Sequence, residues 1–114
     1  MWEVLFHPAV AEWIQGLEVA DRELMEASVA VLKQHGPNLK RPQVGKVDGS
    51  KIGNLKALRP ASSGRSEIRV LFAFDSKRRA VFLVAGDKQG KWNAWYEEVI
   101  PIAEARFKEI EDGN

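Results

Sequence analysis

The chain has no cysteine among its 114 residues, which excludes disulfide frameworks, thiolate metal sites, CxxC redox chemistry and cysteine nucleophiles. Histidine occurs only at His7 and His35, too sparsely for a histidine-rich metal centre, so neither a metal nor an organic cofactor is expected. No apolar run approaches the roughly 18 residues that cross a bilayer. The opening Met1-Trp2-Glu3 lacks the basic start and small-residue cleavage site of a secretory signal. A soluble cytoplasmic protein without a membrane partner is the expectation. The glycines form neither GxGxxG after a strand nor a phosphate loop ending in GK[ST], and serine-hydrolase chemistry has no support. Internal repeats and low-complexity tracts are absent too. Glu97 and Glu98 are adjacent carboxylates, but neighbouring helical positions diverge by about 100° and do not converge on one substrate.

What is present suits a single domain spanning residues 1–114, because a chain of this size buries about 70% of its unfolded surface. Lys plus Arg number 17 and Asp plus Glu 16, yet the balance is unevenly distributed. Residues 1–32 carry net −5, residues 33–91 net +10 and residues 92–114 net −4. A basic middle between acidic ends lets a near-neutral protein offer one cationic face to a polyanion.

Residues 2–6 read as a first strand. His7-Pro8 then forms a helix entry, since the fixed φ of proline suits the first helical position. Val10, Trp13, Ile14 and Leu17 follow at i, i+3, i+4, i+7, and Gly16 interrupts. A second helix is predicted from about residue 19 to 35, with Leu24, Met25, Ser28, Val31 and Leu32 on one stripe and a stop at Gly36-Pro37. Residues 37–53 show no period and are expected to be an irregular loop that binds something or moves. Residues 54–59 suggest a second strand. Residues 67–75 alternate, with Ile68, Val70, Phe72 and Phe74 on one face and Glu67, Arg69, Leu71, Ala73 and Asp75 on the other. Residues 80–85, apolar on both faces, predict a central or helix-covered strand. Beyond Gly90, the apolar positions Trp92, Trp95, Tyr96, Val99, Ala103, Phe107 and Ile110 follow a helical stripe, which Pro101 should kink or divide. The order β-α-α-β-β-β-α predicts an α+β domain, a small antiparallel sheet with helices packed on one face and the other face free.

The chemically informative residues are the bases borne on strands: Lys56 and Arg59, then Arg69, then Lys88 just past the last strand. Arg69 points away from the Ile68/Val70/Phe72 face, so its guanidinium would fork onto phosphate oxygens in a concavity. Metal-free RNA cleavage requires deprotonating a 2′-hydroxyl, stabilising a dianionic pentavalent phosphate and protonating the 5′-oxygen. Arg and Lys clusters supply the second, and a lysine of depressed pKa serves the others. Trp92, Trp95 and Tyr96 are candidates to stack on unpaired bases, although residues at helical spacing are more often core, with Tyr96 the exception because its hydroxyl prefers a wet edge. Lys46 and Lys51 in the loop, with Lys91 and Trp92, are candidate RNA contacts. His7 and His35 are better explained by helix ends, and Asp87 by a strand end or the orientation of Lys88.

The stretches Asn54-Leu55-Lys56-Ala57-Leu58-Arg59-Pro60, Glu67 to Asp75, and Leu83-Val84-Ala85-Gly86-Asp87-Lys88, together with Trp92, Trp95-Tyr96 and Ile100-Pro101-Ile102-Ala103, resemble the RelE/ParE superfamily of toxins. The likeness is to its HigB-like branch, related to phage Gp49, and spans nearly the whole chain. It implies a RelE-like fold and a type II toxin: a ribosome-dependent mRNA endonuclease, or mRNA interferase, silenced by a HigA-like helix-turn-helix antitoxin. By position, Arg69 is similar to the family's arginine at the scissile phosphate, and Lys56 and Arg59 to its upstream bases. Lys88 is similar to the lysine ending the last strand, with Tyr96 a looser match. The tyrosine and histidine that some members carry close after the last strand are missing from Asp87-Lys88-Gln89-Gly90, which leaves the general base open. Two alternatives stay open as well: a ParE-like DNA gyrase inhibitor, and a noncatalytic nucleic-acid or phage-associated binding module. The nuclease reading expects Lys56, Arg59, Arg69 and Lys88 to converge on one cleft.

Overall fold

Alternation along residues 68–74 becomes a strand buried on both of its faces, and the molecule is built around that fact. The computed structural model describes residues 1–113. Its elements are β1 (Glu3–Phe6), α1 (Pro8–Gln15), α2 (Val19–His35), a 3-10 turn (Gly36–Asn38), β2 (Val44–Lys46), β3 (Lys56–Leu58), β4 (Ile68–Phe74), β5 (Arg79–Asp87) and α3 (Asn93–Asp112). The five strands form one sheet in the order β1-β5-β4-β3-β2. The pairs β2/β3, β3/β4 and β4/β5 are antiparallel, whereas β1 runs parallel to β5.

The α+β class and the expected succession of elements are observed, with three differences. The sheet is mixed, because α1 and α2 carry the chain back to lay β1 beside β5. Residues 37–53 are not wholly irregular: Val44–Lys46 adds a strand on β3. Helices cover both faces. On one, Val10 and Ile14 of α1 and Met25 and Leu32 of α2 close over Leu58, Val70, Phe72 and Phe82. On the other, Trp95, Val99 and Ala103 of α3 close over Ala57, Leu71, Val81 and Leu83. The second cluster explains why β5 is apolar on both sides.

Local chemistry fixes the boundaries. The Nδ1 of His7 accepts a hydrogen bond from the Ala9 amide at 3.1 Å, and Pro8 starts α1. The inward stripe of α2 is Met25, Val29 and Leu32, while Val31, expected inside, is 38% exposed. Gly36 ends α2 at φ +56°, and a Cβ there would lie 2.3 Å from the Trp2 indole nitrogen. The β4–β5 hairpin closes on Asp75, whose carboxylate accepts from the amides of Lys77 and Arg79, each at 2.9 Å, and from Arg79 Nε at 2.7 Å. Pro101 lies inside one continuous α3 rather than dividing it, although its missing N–H removes the helical donor for the Glu97 carbonyl. Between Leu71/Phe72 the register shifts, Leu71 facing Val84 and Phe72 facing Phe82. Leu83 is therefore a bulge residue, and Leu83 and Val84 both join the α3 cluster.

Candidate nucleic-acid cleft

A cleft of about 770 Å³ lies between the β2–β3 end of the sheet and the N-terminal half of α3. Its walls include Lys46, Lys51, Arg59, Lys88, Tyr96 and Glu97. Alternation decides what reaches it. Ala57 turns toward α3, and Arg59, two residues on, follows it into the cleft. The guanidinium of Arg59 lies over Gly45, where a Cβ would stand 2.6 Å from Nη2; the glycine makes room for the arginine. The Arg59 amide donates to the Gln43 carbonyl at 2.8 Å, and its Nε is buried with no hydrogen-bond partner.

Arg69 pairs with Gly86 in the β4–β5 ladder and lies on the same face of the sheet as Leu71. Its Nη1 donates to the Ile68 carbonyl at 2.9 Å and its Nη2 to Glu67 Oε2 at 3.1 Å. The side chain is 14% exposed, and Nε has no partner. Arg69 is not itself on the cleft wall. It stands beside Lys88, which is.

Lys88 follows β5, its amide donating to the Glu67 carbonyl at 3.0 Å and its carbonyl accepting from the amides of Lys91 and Trp92. Its ammonium sits 4.9 Å from the ring centre of Trp92 and 5.4 Å from that of Tyr96. Burial holds the Lys88 amine below the usual lysine range, and the charges of Arg69 and Arg59 push the same way against the opposing pull of Glu67. Asp87 is a turn former here: Oδ1 accepts from the amides of Glu67 and Gln89, both at 2.9 Å.

The remaining candidates divide. Trp95 is buried and Tyr96 half-buried at the cleft, whereas Trp92 is 52% exposed and takes φ +46°. Lys46 and Lys51 border the cleft, while Lys91 points to Glu98 at 3.8 Å on the exposed side of α3. Lys56 corrects the expectation of four converging bases. It faces Phe72 across the ladder and lies over Phe74 at 5.9 Å, on the side of the sheet covered by α1 and α2. Arg59, Arg69 and Lys88 come together; Lys56 does not. Two residues not anticipated from the sequence are Glu67, which orients Arg69, and Glu104. Glu104 Oε2 accepts from Ser50 Oγ at 2.9 Å and from the Lys51 amide, tying the cleft's loop wall to α3. Glu67 is signalled by its place two residues before Arg69 on one strand face; nothing local signals Glu104.

Among the described residues, no three His, Asp or Glu side chains are grouped to hold a metal ion, and no helix is long and apolar enough to cross a membrane. What the cleft offers is the Arg59 guanidinium, lysine ammonium groups, one of them on a lysine whose pKa is lowered, and the Tyr96 phenol, with the exposed Trp92 indole against Lys88.

Residues 12–108 match the family model for phage-derived Gp49-like protein. Over 100 residues the chain is 47% identical to "Putative toxin HigB2" of Mycobacterium tuberculosis, a match covering 88% of this chain and 50% of that one, so the chain spans about half that relative's length. It is 42% identical over 103 residues to "Putative toxin HigB3" of the same organism, covering 90% and 88%. The solved structure of a free arginine double mutant of E. coli toxin RelE superposes with TM-score 0.62 at 12% identity, covering 96% of this chain and 97% of that one, which establishes a shared fold.

Proposed function

The chain belongs to the family of phage-derived Gp49-like proteins, and from that premise we propose that it is the toxin of a type II toxin–antitoxin pair, a cytoplasmic, metal-independent endonuclease that cuts mRNA on the ribosome. The partners under this reading are the ribosome, the mRNA in it and a cognate helix-turn-helix antitoxin. The observation that carries the reading is the grouping of three cations from separate segments, Arg59 and Lys88 on the cleft wall beside Tyr96, with the charge of Arg69 felt at Lys88 from behind it.

In this mechanism Arg59 takes the non-bridging oxygens of the scissile phosphate, where charge grows in the transition state, and Arg69 adds its positive charge from beside Lys88. Lys88, in its free-amine form, removes the 2′-hydroxyl proton; the 2′-oxygen attacks phosphorus, the bond to the 5′-oxygen breaks, and a 2′,3′-cyclic phosphate is left. Tyr96 gives the 5′-oxygen its proton. A depressed Lys88 pKa raises the fraction of base near neutrality. Trp92 stacks on a base next to the cut.

Primer extension on transcripts after induction tests the reading. Ribosome-dependent cleavage ends that fall about 10²- to 10³-fold with Arg59→Gln or Arg69→Gln are expected. Intact transcripts accompanied by gyrase-linked DNA breaks would assign the scaffold to gyrase inhibition instead. Growth arrest with neither signal would leave a noncatalytic binder.

A further inference from the structure

A second basic groove, of about 590 Å³, lies at the same end of the sheet, between residues 39–46 and 53–56. Four cations, Lys40, Arg41, Lys46 and Lys56, line it, and no carboxylate does. Buried Val44 and Leu55, with half-buried Leu39, form the apolar side of the groove. Lys46 and Lys56 stand directly opposite each other in the β2–β3 ladder, both on the α1/α2 side. Like charges at such a pair repel, and the arrangement is unfavourable in the free protein unless an anion sits between them. Lys40 adds to the repulsion: burial first, and then the charge of Lys40, lowers the Lys56 pKa. Among the described residues, Lys40, Arg41 and Lys56 make no ion pair. Lys46 meets only Asp48 at 4.0 Å, with both side chains largely in solvent, a pair of little energetic weight.

Lys46 borders both this groove and the cleft that holds Arg59 and Lys88. Edge strand β2 is the ridge between them. A chain of evenly spaced anions leaving the cleft over β2 meets Lys46, then Lys56 opposite it, and Lys40. We propose that this groove is a second phosphate-binding site, which holds the backbone of the same single-stranded RNA a few nucleotides away from the scissile phosphate. The inference rests on the reading of the cleft as an RNA site. It assigns Lys40, Lys46 and Lys56 to strand retention rather than to the bond that breaks. Length-dependent affinity follows: a short oligonucleotide fills the cleft alone, and a longer one reaches both sites.

The test uses the whole protein and uncleavable 2′-O-methyl oligonucleotides of three and twelve nucleotides, with fluorescence anisotropy over a range of salt. For the double variant Lys40→Gln/Lys56→Gln, the slope of log affinity against log salt should become shallower by about 1.4 with the twelve-mer, since each single-strand phosphate left without its lysine removes about 0.7. The three-mer should bind as to wild type. Arg59→Gln should weaken both lengths. With the repulsion relieved, the double variant should melt at or above the wild-type temperature in low salt, which separates a binding loss from misfolding. An unchanged twelve-mer slope would overturn the second site while leaving the cleft reading intact. So would loss of poly-glutamate binding with retained RNA binding, because the groove would then take an acidic protein segment. Wild-type protein that binds neither oligonucleotide would remove the cleft reading, and this proposal with it.

Discussion

Arg69 stands directly opposite Gly86 in the β4–β5 ladder, and the missing side chain at 86 lets the Trp95 indole close onto the sheet beside it. A Cβ on residue 86 would lie 2.6 Å from Trp95 Nε1 and 3.0 Å from Cζ2. The indole belongs to α3, the helix that also carries Tyr96, so residue 86 sets how close the cleft's helical wall comes to the arginine. Gly86→Ala should cost about 1–3 kcal/mol, the range for overpacking a filled core, as measured by denaturant unfolding. It should also shift tryptophan emission and reduce RNA cleavage more than that loss of folded population accounts for.

The pH dependence of Lys88 takes its sign from its surroundings. Burial, Arg69 and Arg59 all lower its pKa in the folded chain. Removing one repelling charge with Arg69→Gln should move the Lys88 titration back toward that of an ordinary lysine, visible in the 13C shift of its ε-carbon. An unchanged titration would show that Arg69 does not act on the amine. For folding, a lowered folded-state pKa means that the unfolded chain holds this proton more tightly. Stability from this group therefore rises with pH from the depressed folded pKa up to the unfolded value near 10.4. Lys88→Met should thus be more stabilising, relative to wild type, at neutral pH than above pH ~10.

How much is legible in the sequence depends on whether a residue's role is set by its own strand or by a distant one. Alternation places Ile68, Val70 and Phe72 on one core face and Arg69 with Leu71 on the other, because side chains in a strand have no other choice. The same rule, applied strictly, separates Lys56 from Arg59: three residues apart in extended chain, they leave opposite faces, so they do not act as one basic pair. Strand β2 has three residues, one of them glycine, and is held by pairing with β3, so it carries no period of its own. The parallel β1–β5 pairing and the coverage of both faces are tertiary facts, hinted at only by a β5 that is apolar on both sides. Glu104 is silent locally because its partners, Ser50 and Lys51, lie 54 and 53 residues away in sequence.

Glu104 holds the loop wall of the cleft, and its carboxylate is kept below the usual range first by the Lys51 amide and then by the Ser50 hydroxyl. A carboxylate whose folded pKa is depressed stabilises the fold above its unfolded pKa, and that contribution is lost as pH falls through the folded value. Hydrogen exchange at the Lys51 amide should therefore accelerate, relative to β4 amides, as acid is added below pH ~4.3. Glu104→Gln should show the same relative acceleration at neutral pH. Unaltered protection in the variant would mean that the wall is held by other contacts.

At Trp92 the backbone and the side chain oppose each other. At φ +46° and ψ −117°, a bulky residue occupies backbone space that side chains with a Cβ rarely adopt, while its ring is 52% exposed and therefore gains little from burial. What the ring does meet is the ammonium of Lys88, a cleft residue, at 4.9 Å. If the strain is kept so that an indole faces RNA, two substitutions separate the contributions. Trp92→Ala removes the ring and keeps the Cβ; Trp92→Gly removes both. Each should weaken single-stranded RNA binding by about 1–3 kcal/mol, the stacking of one base, and the two variants should be equal in this. In stability they should differ: relief of a sparsely populated positive-φ conformation at about 1–3 kcal/mol, less the unfolded-state entropy glycine adds, leaves Trp92→Gly more stable than Trp92→Ala by about 1 kcal/mol. Chemical denaturation and anisotropy on the same two preparations read both quantities. Equal stabilities would show that the backbone at residue 92 is unstrained, and unchanged binding would remove the indole from the RNA path.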